Sequence, residues 1–189
     1  MKSNLRPALA FVILFTLVCG LAYPLAVTGL ARLFFPEQAS GSLERNAQGA
    51  AMGSDLIGQN FTSPRYFWGR PSAANYDGAA STGSNLGPTN PALVGPEGTI
   101  ARRVQELRST GVPNLPVDLV TSSASGLDPD ITPAAAYYQV DRVAVARGLS
   151  PSVVRDLVTA HVVGPQWGFL GPARVNVLAL NRALDRLAP

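Results

Sequence analysis

An uncharged, mostly apolar stretch at residues 7–31, with Lys2 and Arg6 before it and Arg32 directly after, restricts this chain more than any other feature. About 25 residues of α-helix reach about 37 Å at 1.5 Å per residue. That is enough to cross a hydrocarbon core of about 30 Å with some tilt. A cleaved secretory signal has a shorter apolar region, about 7 to 15 residues, and then small residues, whereas this run is longer and continues into LARLFFP. A lipoprotein signal needs small residues before its cysteine, but Cys19 follows Thr16, Leu17 and Val18. The expected organisation is therefore a membrane anchor at residues 1–35, followed by one domain at residues 36–189.

Positive charge flanking a span tends to stay cytoplasmic. The amino terminus, Lys2 and Arg6 face Arg32 and then Arg45, which lies among Glu37 and Glu44. The balance favours an inside N-terminus and an extracytoplasmic C-terminal domain. Past residue 35 the sequence carries twelve arginines and twelve carboxylates, so the net charge of +3 belongs to the anchor and its flanks. A neutral outer domain offers no charge excess for nucleic acid.

Inside the run, Pro24 removes a helical hydrogen bond, a loss that neighbouring helices can compensate. Gly20, Ala22, Ala26 and Gly29 permit close helix approach. An anchor with no other task needs neither, so the span is expected to bind another helix.

Residues 41–96 are dense in Gly, Pro, Ser and Asn, yet they also hold Leu56, Ile57, Phe61, Tyr66, Phe67, Trp68, Tyr76 and Leu86. These side chains call for burial, and the pattern predicts short strands and ordered loops. Beyond them, TIARRVQELR places Ile100, Val104 and Leu107 on one helical face, with Gly111 and Pro113 as its stop. Thr132 before Pro133 is an N-cap with a proline in the first turn, opening one helix that ends at Gly148. Ser150 before Pro151 opens another, to about His161. Val177, Leu180, Leu184 and Leu187 mark a last helix. The fold class is α+β, helix-rich toward the C-terminus.

Enzymatic constellations are scarce. His161, the only histidine, is expected at a helix end. Cys19, the only cysteine, lies in the membrane run, which leaves no disulfide and no thiolate metal site in the outer domain. Asp128 and Asp130 in SGLDPDITP suit turn and cap chemistry better than cation binding, which needs more oxygen donors. No GxxxxGK[ST] phosphate loop occurs. No catalytic and no metal-ligating residue is assigned. An aromatic-rich YFWGRPSAANY segment leaves open a free-standing anchored module for a small ligand, and an exported hydrolase using His161 or a Ser/Asp pair is a further alternative.

The succession GLAYPLAVTGLARLFFPEQASGSL, GSDLIGQNF, YFWGRPSAANYD, SGLDPDITP, QVDRVAVARGL and RVNVLALN closely resembles the C subunit of the Kdp potassium-transporting ATPase family, over almost the whole chain. The resemblance implies a non-catalytic subunit in the inner membrane, in complex with a channel-like A subunit, a P-type ATPase B subunit and a small F subunit. It further implies a role in stabilising the assembly, and in raising the affinity of the B subunit for ATP as a catalytic chaperone. By the same resemblance Gln139 corresponds to the position where nucleotide contact is proposed. A solvated or core-edge structural role is the competing assignment, because an external domain cannot meet cytoplasmic ATP. Where the family commonly reads SGLDPHIS, this chain has Asp130 and Thr132, the latter keeping the capping hydroxyl.

Overall fold

The computed structural model describes residues 4–46, 48–108 and 114–187. Packing divides the chain into Met1–Met52 and Gly53–Pro189.

In the first unit a continuous helical stretch of 30 residues, Leu5–Phe34, is long and apolar enough to cross a membrane. It consists of α1 (Leu5–Phe15), a π-helical segment (Thr16–Ala22) and α2 (Tyr23–Phe34). The wider turns sit directly before Pro24 for a physical reason. Proline cannot donate a hydrogen bond, and its ring crowds the carbonyl four residues back. The Tyr23 N–H reaches the Val18 carbonyl, five residues back, a π-type bond. Lys2, one of the flanking charges, lies outside the described residues. After α3 (Pro36–Ala39), β1 (Leu43–Arg45) pairs with β2 (Ala51–Ser54). The turn between them is closed by Asn46, whose Oδ1 accepts from the N–H groups of Gln48 at 3.1 Å and Ala50 at 2.9 Å.

The second unit is helix-rich with very little sheet, as an α+β reading expects. Short strands and ordered loops were expected over residues 41–96; β1 and β2 are the strands there, and the described residues 55–90 hold turns and extended chain without one. The loops are ordered by side chains instead of by a sheet. Phe67 is fully buried, and Phe61 and Trp68 pack against the core, but Leu56 is 64% exposed, against expectation. At Gly58 the chain passes so close to another segment that a Cβ would lie 2.5 Å from the Asp128 carbonyl oxygen. The Gly58 N–H donates to the Leu127 carbonyl at 2.8 Å.

The short α4 (Pro91–Val94) is capped by Asn90, and α5 (Thr99–Arg108) buries Leu107. The expected stop at Gly111 and Pro113 lies outside the described residues. Thr132 caps α6 (Pro133–Tyr138) by accepting from the Ala135 N–H at 3.1 Å. One correction follows: the single helix expected from here to Gly148 is interrupted at Gln139 (φ −89°, ψ −7°), and α7 (Val140–Arg147) continues beyond it. Gly148 closes α7 at φ +67°, and the Leu149 N–H reaches back to the Ala144 carbonyl, the signature of a Schellman ending that glycine permits. α8 (Pro151–Ala160) starts at the expected place, but Ser150 bonds Ser152 rather than capping the helix.

β3 (Asp130–Ile131) pairs antiparallel with β4 (Val175–Asn176), Ile131 opposite Val175. α9 (Val177–Leu187) follows at once and buries Val177, Leu180 and Leu184, while Leu187 is exposed. The core is a cluster of Phe67, Leu107, Leu119 and Ile131 with the apolar faces of α6 to α9.

Candidate functional site

Residues 66–70 (YFWGR) run through the second unit without strand neighbours, so their backbone polar groups need other partners. Two buried amide side chains supply them. Asn181, on α9, accepts from the Phe67 N–H at 2.8 Å and donates to the Phe67 carbonyl at 3.0 Å. Gln139 treats the next residue in the same way. Its Oε1 accepts from the Trp68 N–H at 2.8 Å and its Nε2 donates to the Trp68 carbonyl at 3.1 Å. Consecutive residues of one segment are thus held by side chains that imitate the rungs of a sheet.

Gln139 makes two further bonds: Nε2 donates to the Ala135 carbonyl at 3.2 Å, and Oε1 accepts from Arg142 at 2.6 Å. A primary amide has two N–H donors and two acceptor lone pairs, and all are used inside the domain. The residue is 1% exposed.

Arginines complete the clamp. Arg142 donates to the carbonyls of Pro64 at 2.8 Å and Tyr66 at 3.0 Å, and its guanidinium lies 3.8 Å from the Trp68 ring centroid. Burial, and then the neighbouring Arg103 cation, lower Arg142 to about 10. Carbonyl oxygens and the π face, rather than a carboxylate, stabilise this cation. Arg147 donates to the Arg65 carbonyl at 2.7 Å and pairs with Asp185 at 2.6 Å, with its own side chain 1% exposed. It also lies over the Tyr66 ring at 4.8 Å.

Trp68 also borders a cleft of about 770 Å³, whose walls include Phe61, Tyr76 and Arg102, Arg103 and Glu106 of α5. Arg103 is held by Glu106 and by the Leu119 carbonyl, and stands 5.3 Å from the Trp68 ring centroid. Asn75 and Tyr76 both have positive φ, 51° and 58°, a costly backbone for non-glycine residues. The Tyr76 hydroxyl donates to the Arg70 carbonyl. Burial raises its pKa, with Arg103 acting against and Asp128 with that shift, so the phenol stays a donor. The cleft suits a guest that stacks on aromatic rings and carries negative charge.

The carboxylates of SGLDPDITP have structural duties. Asp128 accepts from the Asp130 N–H at 3.0 Å and pairs with Arg70 at 3.1 Å. Asp130 pairs with Arg174 at 3.1 Å, which ties β3 to the chain entering β4. Burial raises the Asp130 pKa, Arg174 opposes the rise and Asp128 adds to it. Asp118 accepts from the Thr132 N–H at 2.7 Å. Among the described residues no three of His, Cys, Asp and Glu gather as a metal set. His161 ends α8, with Nδ1 2.8 Å from the Leu157 carbonyl. Sequence reasoning missed Asn181, Arg142, Arg147 and Asp118, whose partners lie far away along the chain.

The class these features define is a protein with one helix, among the described residues, long and apolar enough to cross a membrane, and a small α+β domain stapled by buried amides and arginines. A family model described as KdpC, K+-transporting ATPase, c chain, matches residues 5–186. The Potassium-transporting ATPase KdpC subunit of Variovorax paradoxus is 55% identical over 194 residues, covering 100% of this chain and 98% of that protein. The proteins of the same description from Geobacter sulfurreducens and Methylococcus capsulatus are 51% and 54% identical, each covering 99% of this chain and 100% of their own length. This chain belongs to the KdpC family, the c chain of K+-transporting ATPases.

Proposed function

We propose that this chain is the accessory, non-catalytic subunit of an ATP-driven potassium uptake complex, assembled with Kdp A, B and F subunits in the inner membrane. The observation that carries this reading is the family match across residues 5–186, which takes in both the anchor and the folded domain. The Leu5–Phe34 helix supports attachment by one span. The subunit stabilises the assembly and raises the ATP affinity of the hydrolysing partner, with its domain extracytoplasmic and its N-terminus inside. Lys2 and Arg6 before the span support this orientation.

ATP enters through the partner subunit. The four internal bonds of Gln139 support a positioning role for this residue, with the amide holding Trp68 in place of a nucleotide. Tagged full-length chain, expressed with the other subunits and recovered in mild detergent, should bring down a potassium-transporting ATPase. Complexes lacking it should need more ATP for half-maximal activity. A chain that purifies alone, beside an active ATPase that lacks it, would end the subunit reading. A C-terminal alkaline phosphatase fusion should be active and a C-terminal green fluorescent protein fusion dark, whereas the reverse pattern would overturn the topology. The cleft beside Trp68 favours one second reading, a free-standing module for a small anionic aromatic ligand, which isothermal titration of the lone chain would reveal.

A further inference from the structure

The cleft beside Trp68 gathers polar side chains that the fold leaves uncommitted. Thr99, Arg102, Arg103 and Glu106 fall at helical spacing along α5 and line it together. Arg103 and Glu106 pair with each other at 3.0 Å. Arg102 is exposed and its guanidinium has no partner among the described residues. The lining therefore carries one positive charge in excess, in a domain that is neutral as a whole. That field extends past the cleft, for after burial it is the Arg103 cation that lowers the Arg142 pKa. Asn60, Thr62, Asn75 and Thr99 likewise make no side-chain hydrogen bond among the described residues. Elsewhere in this unit such groups hold backbone, as Asn90, Thr132, Asn176 and Asn181 do. Phe61 and Trp68 add aromatic wall, and Tyr76 commits its hydroxyl to the Arg70 carbonyl and offers its ring. The left-handed backbone at Asn75 and Tyr76 is strain of the kind that collects at functional sites.

We propose that this cleft binds a small ring-bearing carboxylic acid in its ionised form, the carboxylate taken by Arg102 and the ring by the walls of Phe61, Trp68 and Tyr76. The inference rests on the cleft of the second reading above, names its ligand class, and does not require the chain to stand alone. A volume of about 770 Å³ lies within the range of small-molecule sites, about 300–1,000 Å³, which combine apolar walls with a few convergent polar groups. A guanidinium presents a planar fork that a carboxylate matches with two parallel hydrogen bonds. Charge narrows the class further. One surplus cation balances a monoanion, whereas a phosphate monoester carries close to two negative charges at neutral pH. Its second charge would stand uncompensated near the Glu106 carboxylate. A neutral ring would cover Arg102 without matching its charge. The hydroxyls of Thr62 and Thr99 and the amides of Asn60 and Asn75 remain for polar substituents on the ligand.

The test titrates the full-length chain, in neutral detergent, with phenylacetate and with N-acetylphenylalanine. Calorimetry follows binding, and a Trp167→Phe background, which leaves Trp68 as the remaining tryptophan, lets emission report on the cleft. Saturable single-site binding of at least one acid, with a change in Trp68 emission, is the expected result. The uncharged amide of N-acetylphenylalanine should bind about tenfold more weakly, and Arg102→Gln should weaken the acid by about the same factor while leaving the amide unaffected. The melting temperature of Arg102→Gln should match wild type, since Arg102 belongs neither to the core nor to the staples. Phenyl phosphate should bind more weakly than phenylacetate. No saturable binding of either acid overturns the inference, as does full-strength binding by Arg102→Gln or tighter binding of phenyl phosphate. Recovery of ATPase subunits is scored separately. A chain that binds the acid and recovers those subunits supports the site and ends the free-standing reading. Recovery of the subunits without acid binding overturns the site and leaves the subunit reading standing, whereas acid binding without recovery supports the site while the subunit reading fails.

Discussion

Gln139 and Trp68 are joined by a reciprocal pair of hydrogen bonds, 2.8 Å into the amide oxygen and 3.1 Å out of the amide nitrogen, across 71 residues of chain. The same glutamine marks the break between α6 and α7. A residue that reads as one more helical position therefore orients the YFWGR segment, and with it the wall of the cleft.

Removing that amide leaves the Trp68 N–H and carbonyl without partners and opens a small void. Gln139→Ala should cost about 3 kcal/mol or more, since each buried group left unpaired costs about 1–3 kcal/mol. Denaturant unfolding of the full-length chain in detergent measures this. Added ATP should leave the melting temperature of the wild-type chain unchanged. A stabilising shift with ATP that Gln139→Ala abolishes would instead favour direct nucleotide contact.

Arg147 is a buried cation whose carboxylate partner, Asp185, is partly exposed. Asp185→Ala should destabilise by about 1.5–3 kcal/mol, the range for hydrogen bonds to charged groups, by removing the carboxylate that accepts from the buried guanidinium. Arg147→Met combined with Asp185→Ala should cost less than the two single changes added, because the unpaired charge is gone. A double-mutant cycle by chemical denaturation reads the difference.

Burial raises the Asp130 pKa in the folded state, so the folded chain binds this proton more tightly than the unfolded chain does. The associated stability is fully present below the unfolded value, about 3.9, and is lost as pH rises through the folded value. Asp130→Asn, which cannot ionise, should remove that part of the stability profile. The variant should be no less stable than wild type near neutral pH. Unfolding curves across the acid range, with Asp128→Asn as a comparison, would test this.

Within the chain itself, a Cβ at Gly20 would meet only Thr16, at 3.9 Å, and one at Gly29 would meet nothing within 4 Å. Gly20→Leu and Gly29→Leu should therefore insert normally and weaken only close packing against a partner span. Carbonate-resistant membrane retention reports insertion, and recovery of ATPase subunits in mild detergent reports assembly. Wild-type recovery for both variants would place the helix contact on another face.

The sequence by itself determined what depends on neighbours along the chain. An uninterrupted apolar run makes a helix long and apolar enough to cross a membrane, and proline disturbs the helix where it stands. Thr132 with Pro133, and Gly148 with its positive φ, limit helices because capping acts within a turn or two. The Val177, Leu180 and Leu184 spacing predicts the buried face of α9 because helical geometry repeats locally. Tertiary structure decided what depends on meetings across the chain. Asn181 reaches Phe67 over 114 residues, and Arg142 reaches Tyr66 over 76. Asp118 ties the N–H of Thr132, and Asp130 meets Arg174. No local pattern encodes such pairs. Polar side chains become structural when the backbone they meet is buried and has no strand beside it.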